Sequence, residues 1–114
     1  MYTRLFYGTI QSGKEREALE VLNEFVDQVK QLRGCLLTQL LQNGNEIVGI
    51  SIWETKEDLA AYAEGEVARD LFTRITPLFM GRPTVRSYEV KRSLSEQAVT
   101  KSFVISPFIE NVET

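Results

Sequence analysis

The feature that most constrains the fold is a run of apolar residues, spaced three and four apart, between two stretches rich in strand-forming residues. The run consists of Ala18, Leu19, Leu22, Phe25, Val26, Val29 and Leu32. This spacing predicts an amphipathic helix with one broad apolar stripe. Ser12 and Glu15 form a capping-box pattern at its start. Gly34 provides a stop signal, because glycine adopts the left-handed conformation that ends helices.

Four segments around this helix are predicted to be strands, because each is rich in β-branched, aromatic or leucine side chains. They cover residues 3–10, 35–41, 47–53 and 84–91. Asn43-Gly44-Asn45, between the second and third segments, is typical of a hairpin turn. A second helical pattern begins with a weaker capping box at Thr55 and Asp58 and runs to Ile75. Gly65 is expected to break it, since glycine is unfavourable inside a helix.

The order strand, helix, strand, strand, helix, strand predicts an α+β fold. We expect a ferredoxin-like βαββαβ sandwich, with both helices on one face of an antiparallel sheet. The predicted strands are apolar on both faces, as Leu5 and Phe6 illustrate in the first of them. A bare apolar sheet face is an interaction surface. We therefore expect a C2 homodimer, with two sheets packed face to face.

The composition of the chain changes after Arg92. Residues 1–92 are expected to form the domain, and residues 93–114 a C-terminal extension. The extension begins with a polar stretch and ends in the apolar segment Phe103–Ile109, which contains Pro107. Because proline is excluded from central strands, we predict a linker followed by an edge strand, laid on the partner subunit. A loose tail is the alternative.

Two residue types are almost missing, and their absence excludes several kinds of chemistry. The 114 residues contain no histidine and one cysteine, Cys35. The chain therefore has no Ser-His-Asp or Cys-His nucleophile, no set of zinc ligands and no internal disulfide. The net charge of −3 argues against a general nucleic-acid binder. No segment predicts a membrane span or a signal peptide, so we expect a cytoplasmic protein with neither nucleic acid nor membrane as a partner.

The junction after the third strand carries a family resemblance. Ile52-Trp53-Glu54-Thr55 leads into the second helix, in which Tyr62 precedes the expected break and Glu66-Val67-Ala68-Arg69-Asp70-Leu71-Phe72 follows it. Over about residues 2–92 the chain resembles the antibiotic biosynthesis monooxygenase superfamily of dimeric α/β barrels. The resemblance implies a homodimer, with a pocket between the sheet and the helices of each subunit. It also implies cofactor-independent oxygenation of phenols or quinols, or haem degradation.

Haem degradation is not expected for this chain. The haem-degrading branch of the superfamily uses an Asn on the first strand, and a Trp and a His on the second helix. The resemblance aligns these three positions with Phe6, Tyr62 and Phe72. The hydrogen-bonding amide and the imidazole ligand are both missing, so no cofactor is expected.

The candidate ligand-binding residues are mostly aromatic, which suits an apolar pocket with a few polar groups. They are Phe6, Trp53, Tyr62, Arg69, Phe72 and Phe79. Tyr7, Gln39 or Arg74 could add polarity, and no residue identifies itself as a general base. Each candidate also has a structural interpretation: the aromatic residues as core, and the arginines as a solvated helix face. Cys35 is interpreted as a buried, unreactive thiol.

Three hypotheses for the function follow. The first is a cofactor-independent monooxygenase that acts on a small aromatic or quinol-type compound. The second is a non-catalytic homodimeric protein that binds a small apolar or aromatic ligand in the same pocket. The third is an interaction module that uses its C-terminal segment as a docking arm. A fold alone does not decide among them.

Overall fold

An antiparallel four-stranded sheet organises residues 1–94, which are the residues that the computed structural model describes. The strands lie in the order β2-β3-β1-β4. Their bounds are Tyr2–Thr9 for β1, Cys35–Asn43 for β2, Glu46–Trp53 for β3 and Thr84–Glu89 for β4. Each predicted strand is present, with ends shifted by up to two residues. The expected ferredoxin-like α+β fold is confirmed.

The helices connect these strands as the sequence predicts. They are α1 (Glu15–Lys30), α2 (Lys56–Ala63) and α3 (Glu66–Ile75), and a short 3₁₀ helix follows at Thr76–Leu78. The predicted break separates α2 from α3, with Gly65 as the N-cap of α3. The predicted cap of α2 is also present, because the Thr55 hydroxyl accepts a hydrogen bond of 3.0 Å from the Asp58 backbone N–H.

The capping box predicted for α1 is wrong. The helix begins at Glu15, after Lys14, and no side chain caps it. Instead, one oxygen of the Glu15 carboxylate accepts the Gly13 backbone N–H at 2.9 Å, and the other accepts Asn45 Nδ2 at 3.0 Å. Asn45 lies in the β2–β3 turn. Glu15 therefore joins the start of α1 to that turn, a long-range contact that local spacing does not reveal.

The C-terminal end of α1 also differs from the prediction. The helix ends at Lys30, three residues before Arg33, and the Gln31 N–H bonds to the Gln28 carbonyl in a tightened last turn. Gly34 has the expected left-handed backbone, with φ of +82°, but it lies in the turn that leads into β2. The signal for a left-handed residue was correct, and its assignment to the helix terminus was not.

The register of the strands places two rows of residues on the sheet face that the helices cover. One, which we call the apolar row, runs across the sheet as Leu40, Gly49, Phe6 and Val85. The other, the polar row, runs beside it as Thr38, Ser51, Arg4 and Ser87. Neighbouring rows on one face are two residues apart along each strand. The helices therefore pack over an apolar surface that borders a polar one.

The main core lies between this covered face and the helices α1 and α3. Its fully buried residues include Ile10, Ile47, Ile75 and Phe79. A second, smaller cluster joins Trp53 to Val29 of α1 and Leu59 of α2. The two clusters hold the helices to the sheet on either side of the polar row.

The opposite sheet face, which we call the outer face, has no helix over it within residues 1–94. Strand alternation places seven apolar side chains there: Leu5, Tyr7, Leu37, Leu41, Val48, Ile50 and Ile52. Leu37 is 38% exposed and Leu41 is 45% exposed. The prediction that the strands are apolar on both faces is confirmed, while the homodimer inferred from it stays a prediction.

The predicted C-terminal extension lies almost entirely outside the described residues, which include Ser93 and Leu94 but not the apolar segment at 103–109. The division at residue 92 and the edge strand therefore stay predictions. Within residues 1–94, none of the helices has the length and apolar character needed to cross a membrane.

Candidate functional site

A cleft opens between α1 and the covered face of the sheet. It holds about 460 Å³ of space between protein atoms, including solvent at its mouth. The floor consists of residues from the apolar and polar rows, and the remaining walls come from all three helices. The helical wall residues are Leu22, Phe25, Val26 and Val29 of α1, Tyr62 of α2 and Leu71 of α3.

Gly49 explains why the cleft lies where it does. This glycine occupies the centre of the apolar row between Leu40 and Phe6 and leaves a gap in the floor. A Cβ atom at this position would lie 3.6 Å from Phe6 Cβ, at ordinary contact distance. The gap is therefore not forced by crowding. A glycine inside a strand often marks a place where a ligand approaches the backbone closely, and Gly49 was not among the predicted site residues.

A stacked pair of aromatic residues forms one end of the cleft. The Trp53 and Tyr62 rings are 4.9 Å apart between centroids, with 17° between their planes. Trp53 is fully buried, and its indole Nε1 donates a 2.9 Å hydrogen bond to Ser51 Oγ. Trp53 thus positions two residues that line the cleft, Tyr62 and Ser51, without lining the cleft itself.

Arg4 brings a positive charge into the same end of the cleft. Its guanidinium carbon lies 5.3 Å from the centroid of the Tyr62 ring, which is a cation–π contact. Burial lowers the pKa of Arg4 and raises that of Tyr62, while the interaction between the two opposes both shifts. At neutral pH the guanidinium is therefore charged, and Tyr62 keeps its phenolic proton.

The predicted ligand-binding residues divide into three groups. Phe6 and Tyr62 line the cleft. Trp53, Phe72 and Phe79 lie behind these two, since the Phe72 and Phe79 rings are 5.8 Å and 5.9 Å from that of Phe6. Arg69 lies outside the cleft and donates to the Glu64 carbonyl at 3.3 Å. A binding role for each of them stays a prediction.

The residues that were predicted to add polar groups to the pocket also lie in different places. Gln39 is among the residues at the cleft, but its pairing with Ile50 places its side chain on the outer face, where Tyr7 also lies. Arg74 forms an ion pair with Glu24, at 2.8 Å and 3.0 Å. Arg4 was not among the predicted site residues, although strand alternation places it on the same face as Phe6, two residues further on.

Cys35 is half-buried, and burial raises the pKa of its thiol. A thiol with a raised pKa is a poor nucleophile at neutral pH. This agrees with the interpretation of Cys35 as unreactive, although the residue is half-buried and not buried as expected.

The positions that correspond to the haem-degrading site do not fit haem. Phe6 and Tyr62 line the cleft where an amide and an indole would be required, and Phe72 packs its ring edge-to-face on Phe6. The full sequence has no imidazole. Within residues 1–94, no three His, Cys, Asp or Glu side chains are grouped as metal ligands. The donor chemistry of the side chains in this cleft is therefore that of hydroxyl and guanidinium groups.

The fold and the cleft define the class of protein: an α+β ferredoxin-like domain with a pocket between sheet and helices. A Nitrosomonas europaea protein, provisionally named antibiotic biosynthesis monooxygenase, matches with a TM-score of 0.73 and 17% identity, over 81% of this chain and 100% of its own. A Deinococcus radiodurans protein with the same provisional name has a TM-score of 0.76 and 11% identity, over 83% of this chain and 97% of its own. A conserved Methanosarcina mazei protein has a TM-score of 0.72 and 13% identity, over 80% of this chain and 94% of its own. At these identities the similarity shows the fold alone.

The family is shown by the sequence. A profile of the antibiotic biosynthesis monooxygenase family matches residues 1–74, and the chain belongs to this family. The match extends from β1 to the end of α3 and includes all the cleft-lining residues. No curated protein matches the chain. The family expected from the Trp53 junction is confirmed, and with it monooxygenase chemistry at the level of the family.

Proposed function

We propose that this protein is a cofactor-independent monooxygenase that oxidises a small aromatic or quinol-type compound in the cleft above Gly49. The observation that carries the proposal is the cleft itself, in a chain of a monooxygenase family. Its walls are apolar side chains of α1 and the sheet, and its polar groups are few and lie at one end. This is the usual composition of a site for a small organic molecule.

The proposed reaction needs no reagent other than the substrate and dioxygen. A compound with a methylene group beside a phenol, such as an anthrone, loses a proton to form an electron-rich anion, and this anion reacts with O₂. One oxygen atom becomes the carbonyl oxygen at the former methylene carbon. The other leaves as water with the two hydrogens of that methylene. The substrate gives up the four electrons that reduce O₂, so no cofactor is needed as a reductant.

The protein would contribute a dry site and a way to remove the proton. The apolar walls exclude water, which strengthens the electrostatic interactions inside the cleft. Among the described lining residues there is no carboxylate and no lysine, and the polar side chains that face the cleft, other than Arg4, are Thr38, Ser51 and Tyr62. We propose that the proton leaves through water at the mouth of the cleft, since a catalytic proton transfer can use one intervening water.

Oxygen uptake with a panel of anthrones and hydroquinones tests this proposal. We expect uptake by the protein alone, with one atom from ¹⁸O₂ in the new carbonyl group. Gly49→Val should lower kcat/KM by about tenfold or more, because its side chain fills the floor of the cleft and its shape suits a strand. Ser87→Val is the matched control, since Ser87 lies in the polar row on β4 and does not line the cleft. Uptake with none of the panel, or only after flavin or metal is added, would contradict the proposal.

The alternative is a non-catalytic protein that holds a small apolar or aromatic ligand in the same cleft. The lack of a carboxylate or lysine among the described lining residues favours it. Saturable ligand binding, lowered by Gly49→Val and unaccompanied by oxygen uptake, would select this alternative.

We also propose that the outer face packs against that of a second copy of the chain. The support is its seven apolar side chains, together with the exposure of Leu37 and Leu41. Two such faces would bury one another as the two halves of a sheet sandwich. A contiguous apolar surface of this kind is unusual on a monomer.

Sedimentation equilibrium of the full chain tests the assembly. We expect a dimer at micromolar concentration, and a shift toward monomer for Leu41→Glu. Gln42→Glu is the control, because Gln42 is the next residue of β2 and points to the opposite face. A monomeric wild-type chain would refute the dimer. Removal of residues 93–114 then shows whether the extension contributes: an unchanged dimer would contradict an edge strand laid on the partner.

A further inference from the structure

Three groups at one end of the cleft have hydrogen-bond donors to offer a ligand. We call Arg4, Ser51 and Tyr62 the donor corner; all three line the cleft. A guanidinium has donors and no acceptor. Tyr62 keeps its phenolic proton because burial raises its pKa. Ser51 already accepts the indole hydrogen of Trp53, so its own hydroxyl hydrogen can point elsewhere.

Within residues 1–94, Arg4 has one side-chain hydrogen-bond partner in the donor corner, the uncharged hydroxyl of Tyr62, and no anionic partner. No carboxylate there lies within 4.0 Å of the Arg4 guanidinium, although Arg33 and Arg74 both have acidic neighbours within that distance. Neither the Tyr62 nor the Ser51 hydroxyl donates a hydrogen bond to another side chain of that region. Half-buried donors and an unpaired charge are unfavourable unless something accepts from them.

The positions of the three residues follow from the register. Arg4 and Ser51 are directly opposite one another in the polar row, on β1 and β3. Tyr62 reaches them from α2, where the stack with Trp53 fixes its ring. The donors therefore converge from three elements on one edge of the cleft, next to the gap at Gly49 in the apolar row.

We propose that the donor corner binds an anionic oxygen group, a carboxylate or an ionised acidic enol, carried on an aromatic ring that lies over Gly49. The inference rests on the proposed function only in placing the ligand in this cleft. It narrows the substrate class from aromatic compounds in general to aromatic acids. Arg4 is the residue that determines this specificity, because a planar guanidinium pairs with two anionic oxygens at once.

An acidic ligand also suits the absence of a carboxylate or lysine among the described lining residues. A compound that is already ionised in water enters the cleft as the anion, and the charge of Arg4 holds it in that form. An ionised enol is itself the electron-rich anion that reacts with O₂, so for such a ligand the protein does not have to supply a strong base. A carboxylate would only anchor the ring, and the proton of the reacting carbon would still leave through water.

Calorimetric titration of the full chain with matched probe pairs tests the proposal. The first pair is 2-naphthoate and 2-naphthamide, which share a shape and differ in charge. The second is ionised 2-hydroxy-1,4-naphthoquinone and its neutral 2-methoxy counterpart. We expect at least one anion to bind about tenfold or more tightly than its neutral partner, as a charge-assisted hydrogen bond requires. The pair that shows the preference identifies the carboxylate or the enol as the preferred group.

Three variants test whether Arg4 causes the preference for the anionic probe over its neutral partner. Arg4→Met should abolish it, and Arg4→Lys should retain part of it, because the charge remains without the planar fork. Arg16→Met is the matched control on the exposed surface of α1 and should leave it unchanged. Equal binding of charged and neutral probes in both pairs would overturn the inference, as would no binding at all or a preference that survives in Arg4→Met. Selective anion binding without oxygen uptake would leave this inference standing and refute the monooxygenase.

Discussion

The indole of Trp53 stacks on the phenol ring of Tyr62, 4.9 Å away and nearly parallel to it. One residue is fully buried at the end of β3, and the other faces the cleft from α2. The conspicuous tryptophan of the family junction is therefore a positioning residue. It sets the ring of Tyr62 and, through its N–H, the hydroxyl of Ser51.

This arrangement predicts different effects for the two aromatic residues. Trp53→Phe loses the hydrogen bond to Ser51 and part of the stack, so we expect it to lower the free energy of unfolding by about 1–3 kcal/mol. Tyr62→Phe keeps the stack, so it should change the free energy of unfolding by less than about 1 kcal/mol. It should nevertheless weaken ligand binding, because it removes the phenolic hydroxyl. Urea denaturation and probe titration measure the two effects. A larger stability loss in Tyr62→Phe than in Trp53→Phe would contradict the assigned roles.

Gly8 and Gly49 lie on the covered face of neighbouring strands, but we expect them to respond differently to a methyl group. A Cβ at Gly8 would overlap the ring of Phe79, which is 2% exposed and has little room to move. We expect Gly8→Ala to destabilise the fold by about 1–3 kcal/mol through overpacking. Gly49→Ala is the control, because its Cβ meets Phe6 at 3.6 Å. Equal midpoints of thermal unfolding for the two variants would show that the Phe79 contact has no such effect.

Gly34 combines an unusual backbone with a crowded position. Its φ is +82°, and a Cβ would lie 2.6 Å from Asp58 Cβ. Gly13 has a similar φ of +90°, with nothing within 4 Å of its Cβ position. Both alanine variants should lose about 1–2 kcal/mol to backbone strain, and Gly34→Ala should lose more because Asp58 has to move. Chemical denaturation of the two alanine variants separates backbone strain from the clash with Asp58. Equal losses in the free energy of unfolding would show that the clash has no effect.

The link between α1 and the β2–β3 turn should make stability depend on pH. The hydrogen bond from Asn45 is the main reason that the pKa of Glu15 lies below its ordinary value, and the backbone N–H groups of Glu15 and Gly13 add to it. Because the folded pKa is depressed, the stabilisation is complete above the unfolded pKa of about 4.3 and is lost as the pH falls through the folded value.

Glu15→Gln tests this dependence. Unfolding free energies measured from pH 7 down to pH 3 should fall less steeply for the variant than for the wild type. Glu20→Gln, an exposed position on the same helix, serves as the control. If Glu15→Gln has the same dependence of unfolding free energy on pH as the wild type, the titrating group is a residue other than Glu15.

The element order could be predicted from the sequence because each signal is local. The three- and four-residue steps of α1, the Thr55 cap and the break at Gly65 depend on neighbours along the chain. The capping box at Ser12 failed because the helix begins at Glu15 with Lys14 as its N-cap, and the Glu15 carboxylate bonds to Gly13 and Asn45 instead. Asn45 is 30 positions away from Glu15, and spacing within one segment cannot reveal such a partner.

The candidate site could be predicted only in part, for a related reason. Phe6 and Tyr62 could be predicted because the family resemblance aligns them with site positions and because aromatic residues suit an apolar pocket. Arg4 and Gly49 were missed because their importance comes from the register of β1 against β3, which places a charge and a gap in adjacent rows. Phe72 and Phe79 were included because a large aromatic residue looks the same in a sequence whether it lines a cavity or packs behind one.

The side chains of β1 alternate between the two faces of the sheet, and this limits the mutations that the strand can accept. Arg4 and Phe6 point into the cleft, while Leu5 and Tyr7 form part of the outer face. If the cleft binds a ligand and the outer face a second copy, as we propose, substitutions can adjust the two contacts separately, one side chain at a time. A one-residue insertion or deletion within β1 would exchange the two sets for the residues on one side of the change, because a slip of one position turns every side chain to the other face. The strand should therefore tolerate many replacements and almost no change of length.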